Sequence, residues 1–422
     1  MILSISMSNY RVFSEKVTLD LLSHSNSRRL ASNLISNGNF NIVKSAGIYG
    51  ANNCGKTSFL SGVSTIKRVL LGKQEFDPVP NLFTGDPVSS FSIAFRNSGS
   101  ESWHEYSFAF DSRRGIFSKE KLIAFGKDAS NHRHERIIFE KNVDGNVYSL
   151  FGERSKDTLS LVSSSLPLMY ALSDANEKVK KYRGELFAAG SSIEIISMYN
   201  IPFDKTIGVL KGTDKTKKDA IVSFVKNADL SLNDLSYEPN AKVNISDEKG
   251  RDISENALRM APGLEDRAKL FSTYMGKKVP SLVFDSTGTK KIEALSSYVL
   301  EALTEGKTLF VDELDSGLHF RLTRAIVSLF NNIGNEKGQM VFTTHDVMLL
   351  NTKRLMRKEQ IWFIEKNKDG AVDLYPLSRF TAADGTRETS DLIKEYSRGD
   401  FSYIPNPDFV DSLIKSLPKD SK

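Results

Sequence analysis

The stretch Gly50-Ala-Asn-Asn-Cys-Gly-Lys-Thr57 decides the fold of this chain. It fits the spacing G-x-x-x-x-G-K-[ST], whose glycines let the backbone curl so that successive N–H groups point at bound phosphates. The apolar run Ala46-Gly-Ile-Tyr49 predicts a strand before it. An amphipathic helix is predicted after it, from the spacing of Phe59, Val63, Ile66 and Leu70. Because the motif requires this strand–loop–helix context, we interpret it as a phosphate-binding loop rather than an incidental glycine turn.

Within the loop, Lys56 is the candidate for contacting the β- and γ-phosphates, and the Thr57 hydroxyl is the candidate ligand for Mg²⁺. The positive N-terminal end of the following helix is expected to add to phosphate binding. Further candidates for nucleotide contacts are Gly50, Asn53, Gly55 and Ser58. Cys54 is the single cysteine of the chain, and we interpret it as a small loop filler rather than a nucleophile.

Two more apolar runs end in polar residues. Leu309-Phe-Val-Asp-Glu313 predicts a strand that carries Asp312 to the Mg²⁺ and Glu313 to the attacking water. Met340-Val-Phe-Thr-Thr-His345 predicts a strand that presents His345 to the γ-phosphate or the water. Taken alone, the carboxylates would equally suit a helix cap, and the histidine a solvated strand end. Combined with the phosphate loop, the three segments favour one ATP site, in which Lys56, Glu313 and His345 are the candidate catalytic residues.

The remaining pattern predicts an α/β fold with a mostly parallel sheet, because strands and helices alternate after Pro280. Short β-rich runs between Phe91 and Leu150 predict an antiparallel meander, and residues 155 to about 230 are expected to be mainly helical. A weaker β region covers Leu235 to Ile245, and Ser23 to Asn41 is expected to be a loop.

Composition sets wider limits on what the chain can be. Its 422 residues carry 57 basic and 52 acidic side chains, and a net charge of +5 does not by itself indicate nucleic acid. No apolar run approaches the ~18 residues that predict a transmembrane helix. A single cysteine allows no intramolecular disulfide and suits a reducing compartment. We therefore expect a cytoplasmic protein without membrane association.

The order of these motifs resembles ABC-type ATPase heads, which include SMC proteins, DNA-repair ATPases and OLD-like proteins. The resemblance rests on Gly50–Thr57, Asp285-Ser-Thr-Gly-Thr289 before a helix, Val311-Asp-Glu313 and Thr344-His345. It implies a P-loop NTPase head that uses ATP and Mg²⁺, and a homodimer in which Ser286 and Gly288 of one subunit close over the nucleotide of the other. Asn9-Tyr-Arg11 is similar to the Asn-Phe-Arg of SMC-like heads, which makes Arg11 a candidate nucleotide contact.

The chain more closely resembles the abortive-infection ATPases of bacterial phage-defence operons, the AbiL/Rlo type. That resemblance rests on Ser286–Thr289, Asp312–His319, Gln339–His345, Gln360–Phe363 and the tail Tyr396–Pro405. It departs from the pattern at Phe401 and Ser402, and His319 stands where many ABC proteins carry an aspartate. No glutamine is evident as the lid residue that usually follows the meander.

These resemblances imply an organisation as well as a role. Residues 1–150 would form the N-terminal part of the head, 151–270 a helical or mixed insertion, and 271–422 the C-terminal part. The implied role is sensor or regulatory subunit of an anti-phage system. A separate toxic effector, nuclease-like and from the same operon, would be its partner, since only about 60 residues follow Trp362. Binding of nucleic acid and assembly beyond a dimer stay open.

Two other functions compete with this interpretation. An SMC-like DNA-repair ATPase would act on DNA ends with a nuclease partner, but the helical region shows no sustained heptads. A transporter motor would carry its signature nearer the phosphate loop, whereas 230 positions separate Lys56 from Ser286.

Overall fold

A computed structural model describes most of the chain with its side chains. The described residues are 1–25, 27–36, 40–100, 102–127, 133–142, 147–149, 165–172, 177–228, 231–241, 245–246, 252–253, 263–351, 353–367, 369–380 and 391–401. Part of the predicted tail motif, from Ser402 to Pro405, lies outside them.

A six-stranded sheet forms the centre of the molecule, in the order β12-β18-β19-β6-β20-β21. Its first five strands run parallel and the last is antiparallel. The strands are β6 (Ser45–Tyr49), β12 (Ile193–Ser197), β18 (Thr308–Asp312), β19 (Gln339–Thr344), β20 (Ile361–Lys366) and β21 (Val372–Pro376). The apolar runs predicted as strands around the phosphate loop, the acidic pair and the histidine are therefore neighbours in one parallel sheet.

Both faces of this sheet are buried, which explains why its strands are continuous apolar runs rather than alternating ones. Phe310 of β18 points into one hydrophobic core, whereas Leu309 and Val311 point into the other. The neighbouring strand β19 repeats the pattern with Val341 on the first side and Met340 on the second.

A seven-stranded antiparallel sheet, β11-β10-β9-β8-β7-β1-β2, packs on the first core. It contains β1 (Ile2–Ser8), β2 (Val17–Asp20), β7 (Val88–Phe95), β8 (Trp103–Asp111), β9 (Ile116–Lys127), β10 (Arg133–Lys141) and β11 (Val147–Ser149). The predicted meander is confirmed as β7 to β11. The chain's first two strands extend it, so this sheet joins distant segments.

Helices cover both sides of the central sheet. They are α1 (Lys56–Leu70), α2 (Leu168–Ala171), α3 (Glu177–Ser191), α4 (Asp204–Lys211), α5 (Lys215–Ala228), α6 (Leu264–Ala268), α7 (Ser281–Phe284), α8 (Thr287–Glu305), α9 (Phe320–Phe330) and α10 (Leu392–Ser397). Helix α1 packs between the two large sheets, while α8 packs on the opposite face of the central sheet. None of the helices in the described ranges is long and apolar enough to cross a bilayer.

Smaller sheets complete the described structure. One consists of β13 (Leu232–Tyr237), β16 (Leu270–Tyr274) and β17 (Lys277–Pro280), and it packs against α7. Another consists of β3 (Leu22–Ser23), β4 (Leu34–Ser36) and β5 (Asn41–Val43), and a third pairs β14 (Ile245–Ser246) with β15 (Asp252–Ile253). The expected loop from Ser23 to Asn41 therefore contains short strands.

In the described part of residues 155 to about 230, helices α2 to α5 confirm the prediction of a mainly helical region, but one strand of the central sheet also lies there. Strand β12 lies inside that region and pairs with β18, with Ser197 opposite Asp312. Its Glu194 is bonded by Lys205 at 2.8 Å and lies 3.5 Å from Lys67. Although burial opposes it, the hydrogen bond from Lys205 lowers the pKa of Glu194. Because the five residues of β12 include Glu194, the strand does not stand out in the sequence as an apolar run. The burial of Glu194 depends on lysines from other segments, and the sequence pattern does not show that pairing.

Candidate functional site

The carboxyl ends of β6, β19 and β18 meet at one edge of the central sheet. There the Thr57 hydroxyl, at the start of α1, donates to Asp312 Oδ2 over 3.0 Å. The two residues are 255 positions apart in the chain. The phosphate-loop motif and the acidic strand are therefore parts of one site.

The loop itself has the curled backbone that its glycines predict. A Cβ atom at Gly50 would overlap the Ile364 carbonyl of β20, and Gly55 has a φ of 115°, in the left-handed region. Lys56 is buried, and its ammonium group donates to the carbonyls of Gly50 at 2.9 Å and Ala51 at 3.0 Å. Burial lowers the pKa of Lys56, and the charges of nearby carboxylates oppose that shift.

The other loop candidates differ in exposure. Asn53 is exposed and has a φ of 61°, and Ser58 is partly buried in the first turn of α1. Cys54 is buried against the core, and burial raises the pKa of its thiol, which keeps it protonated and a weak nucleophile. These facts agree with the interpretation of Cys54 as a filler.

Thr343 on β19 fixes the two carboxylate-bearing residues. Its hydroxyl donates to Asp312 Oδ1 at 2.6 Å and accepts from the Glu313 backbone N–H at 2.8 Å. Glu313 has a φ of 54°, which is uncommon for a residue with a Cβ atom and is held by this contact. Sequence reasoning missed Thr343, because its role depends on which strand lies next to β18.

His345 and Asp315 form the next layer of the site. Asp315 Oδ1 accepts from the Thr344 hydroxyl at 2.7 Å and from the His345 backbone N–H at 3.2 Å. Partial burial and the charge of Lys56 lower the pKa of His345, and the surrounding carboxylates oppose this. The imidazole is therefore neutral at pH 7 and beside the loop lysine, where it can donate or accept a hydrogen bond.

A second residue that the sequence did not single out is Tyr199, which follows β12. The backbone N–H of Met198 donates to the Asp312 carbonyl at 3.0 Å, which brings Tyr199 to the same sheet edge. A hydrogen bond to Glu313 and the charge of that carboxylate raise the pKa of Tyr199. The ammonium group of Lys291 lies 5.8 Å from the Tyr199 ring centre. The adjacency follows from strand β12, which the prediction of a mainly helical region did not include.

Ser286 caps the N-terminus of α8, where its hydroxyl accepts from the Thr289 backbone N–H at 3.1 Å. A Cβ atom at Gly288 would lie 3.2 Å from the Gly317 carbonyl, in the turn that follows Glu313. Lys291 donates to the Ser316 carbonyl in the same turn at 2.8 Å. Within one chain, the helix start thus contacts the turn after the acidic pair, and the Ser286 hydroxyl bonds to Thr289.

Arg11 lies in a loop beside the phosphate loop, since the next residue, Val12, would contact a Cβ atom at Gly55. Its guanidinium group donates to Asp77 at 2.8 Å and to the Tyr10 hydroxyl at 3.0 Å. These bonds point to a structural tie, and a nucleotide contact by Arg11 stays a prediction.

Two remaining sequence predictions fall near the site. His319 caps α9, where its Nδ1 accepts from the Arg321 backbone N–H at 3.3 Å. In the tail, the Phe401 ring stacks on Phe363 of β20 at 5.4 Å, and Tyr396 packs edge-on against Tyr49 at 6.1 Å. The described part of the tail therefore supports the end of β6, directly before the phosphate loop.

The residues present fit a magnesium nucleotide. Thr57 Oγ1 and Asp312 Oδ2 are adjacent hard oxygens, the ligand type that Mg²⁺ prefers. The described residues contain no group of three or more His, Cys, Asp or Glu side chains that could hold a metal. Such a site depends on phosphate and water for its remaining ligands, as is usual for Mg²⁺.

Comparison with known proteins gives one family match. Residues 203–351 match the model described as "AAA domain, putative AbiEii toxin, Type IV TA system". The matched stretch contains Ser286, Asp312, Glu313 and His345 but not the phosphate loop. The predicted α/β fold with a mostly parallel sheet and an antiparallel meander is confirmed. The match supports the predicted resemblance to AAA-type ATPases over residues 203–351.

Among solved structures, two SMC heads are similar at low identity. One is an SMC head bound to the C-terminal winged-helix domain of ScpA, which is 12% identical with a TM-score of 0.45. The aligned region covers 91% of this chain and 99% of that structure's chain. The other, the SMC head domain from Thermotoga maritima, is 11% identical with a TM-score of 0.40 and covers 89% and 98%. No curated protein matches the chain.

The Thr343 contacts generate a first prediction. Thr343→Val keeps the side-chain shape but leaves Asp312 Oδ1 and the Glu313 N–H without their shared partner, so the free energy of unfolding should fall by about 1–3 kcal/mol. Thr343→Ser retains the hydroxyl and is the control. Denaturant unfolding of both variants measures the difference, and equal stability of the valine and serine variants would contradict the assigned contacts.

Proposed function

We propose that the chain binds and hydrolyses ATP at the edge where α1 meets β18. The observation that carries this proposal is the Thr57–Asp312 hydrogen bond, which joins the phosphate-loop motif to the acidic strand. When bound there between Thr57, Asp312 and the phosphates, Mg²⁺ would neutralise charge on the β- and γ-phosphates. The protein's own residues would do the remaining work of binding, orientation and proton handling.

Lys56 is proposed to bind the phosphates. Its bonds to the Gly50 and Ala51 carbonyls hold the ammonium group inside the loop. Phosphate oxygens would replace those carbonyls as acceptors, and a charge-assisted bond to an anion is stronger than one to a neutral carbonyl. The backbone N–H groups of the loop and the N-terminus of α1 would bind the same phosphates.

Glu313 is proposed to polarise the attacking water, and His345 to orient it or the γ-phosphate. The left-handed backbone of Glu313, fixed by Thr343, sets the direction in which this carboxylate leaves β18. A neutral His345 suits the role, because an imidazolium beside Lys56 would add a second positive charge.

Two variants separate binding from hydrolysis. Lys56→Ala removes the only cation inside the loop and should abolish nucleotide binding, measured with a fluorescent ATP analogue.

Glu313→Gln should bind ATP normally but hydrolyse it about 10²–10⁴-fold more slowly, because the amide lacks the charge that polarises water. Normal phosphate release by Glu313→Gln would assign water activation to another group, and normal turnover by Lys56→Ala would remove the proposal.

We further propose that two copies share each ATP site, with Ser286 and Gly288 acting on the partner's nucleotide. They lie at the N-terminus of the 19-residue α8, whose free N–H groups and dipole favour an anion. The loop, Asp312, Glu313 and His345 would contact one side of the nucleotide only. In a two-fold dimer, the helix start of each subunit would cover the other side of its partner's nucleotide, so the same contacts would form at both sites.

Mixing inactive subunits tests this sharing. Lys56→Ala lacks a working loop and Ser286→Arg a working helix start, so their mixed dimer retains one complete site. If mixing is random and sites act independently, about a quarter of the wild-type ATPase rate should return. Verified mixed dimers without recovered activity would argue against sharing, and recovery by monomers would contradict it outright.

For the biological role, we propose an anti-phage regulator that controls a separate toxic effector. Support comes from the family match over residues 203–351, whose description names a toxin of a type IV toxin–antitoxin system. The ATP cycle would switch the dimer between two arrangements with different affinity for the effector. In this proposal the toxic activity belongs to that separate effector.

A phage challenge tests the biological role separately from the chemistry. A sensitive host carrying the operon of this chain should form fewer plaques than the empty host. Glu313→Gln should lose that protection, because the cycle stops before hydrolysis. Equal plaque numbers with the wild-type operon and without it would remove the defence role and leave the ATPase proposal intact.

A further inference from the structure

Three charged side chains are buried together beneath the N-terminus of α8. Glu293 on α8 is 0% exposed, Asp285 directly before Ser286 is 5% exposed, and Arg267 on α6 is 7% exposed. Charges so far from water are costly unless each has a partner. None of the three belongs to the ATP site described above, so their burial needs its own explanation.

Glu293 connects α8 to three other elements. Its Oε2 accepts from the Ser281 hydroxyl of α7 at 2.7 Å and from Arg267 of α6 at 3.3 Å. Its Oε1 lies 3.2 Å from the Ser272 hydroxyl of β16. The Arg267 guanidinium group in turn lies over the Phe203 ring, 3.6 Å from its centre. The carboxyl group is therefore the point where the small sheet, α6 and α7 are joined to α8.

Asp285 connects the residue before Ser286 to the same sheet. It accepts from the Ser272 hydroxyl at 2.5 Å and from the Tyr274 hydroxyl at 2.8 Å. Ser272 thus lies between the two carboxyl groups. Because Asp285 and Ser286 are adjacent, the position of the helix start cannot change without breaking these bonds.

The charges of Arg267, Asp285 and Glu293 balance if one of the two carboxyl groups is protonated. Burial, and then the hydrogen bond to Asp285, raise the pKa of Glu293 to about 8. Burial opposes the shift of Asp285, but hydrogen bonds from Glu293 and Ser272 lower its pKa. At neutral pH a protonated Glu293 leaves Arg267 and Asp285 as one opposite-charge pair. A neutral amide at position 293 would preserve this balance.

We propose that Glu293 is a positioning residue, which holds Ser286 and Gly288 where the partner's nucleotide needs them. An apolar contact would bury the helix equally well but could slide, whereas hydrogen bonds to three elements define one position. Position 293 lies seven residues, about two turns, beyond Ser286 on α8, so displacement at one moves the other. The inference rests on the proposed sharing of ATP sites between subunits.

Subunit mixing distinguishes positioning from a general loss of stability. Glu293→Leu should lower the ATPase rate of the homodimer by about 10–100-fold, as small displacements at active sites do. Its own phosphate loop stays intact, so mixing with Lys56→Ala should recover as much activity as Ser286→Arg does. Mixing with Ser286→Arg should recover nothing, because both subunits then lack a working helix start.

Conservative and matched variants complete the test. Glu293→Gln should retain most of the wild-type rate, since the amide can replace the protonated carboxyl group. Glu301→Leu makes the same change further along α8, where Glu301 pairs with Lys205 and Lys307. When Glu301→Leu replaces Glu293→Leu, the mixtures with Lys56→Ala and with Ser286→Arg should both be active. If Glu293→Leu does not fold, Ser281→Ala can replace it, because this change removes the hydrogen bond from Ser281 to Glu293. It should recover activity with Lys56→Ala and not with Ser286→Arg.

Several outcomes would overturn the inference. A wild-type rate for folded Glu293→Leu, or its recovery with Ser286→Arg rather than with Lys56→Ala, would show that Glu293 does not act through the helix start. These results would leave shared sites standing, provided that Lys56→Ala and Ser286→Arg recover activity together. Failure of that reference pair would remove the shared site and the role of Glu293 with it.

Discussion

The hydrogen bond between Thr57 and Asp312 depends on the strand order of the central sheet, and the site depends on that bond. Strand β19 lies between β6 and β18, so the start of α1 must reach across one strand to meet the acidic pair. Parallel strands place their carboxyl ends at one edge, where ligands bind in open α/β sheets.

Burial of the sheet on both faces makes this edge rigid, because close-packed interiors resist displacement. Polar contacts then tie the start of the chain to the same sheet. Gln339, at the start of β19, accepts from the Ile2 backbone N–H at 2.7 Å and donates to the Ile2 carbonyl at 3.1 Å. The first strand of the chain is thereby attached to the strand that ends beside His345. Distant segments thus support the sheet edge that carries the candidate site.

The helix start at Ser286 is held differently from the sheet edge. Hydrophobic contacts of α8 bury its apolar face, yet the described contacts that fix its N-terminus are mainly polar and come from Asp285, Glu293 and Lys291. Lys291 joins it to the turn after Glu313, so the proposed catalytic carboxylate and the proposed contact to the partner's nucleotide are mechanically connected. In the proposed dimer, a change at one subunit's nucleotide would therefore reach the helix start that is proposed to face the other subunit.

The sequence by itself determined the phosphate loop, the strand ending in Asp312 and Glu313, the strand ending before His345, and the antiparallel meander. These are local patterns: a fixed spacing of glycine and lysine, and apolar runs whose length separates strands from helices. Only the tertiary structure placed β12 beside β18, since that strand is five residues long and contains Glu194, which distant lysines neutralise. Thr343, Tyr199 and Glu293 stayed hidden for the same reason. Their significance depends on partners from other segments, and a single sequence does not reveal which segments become neighbours.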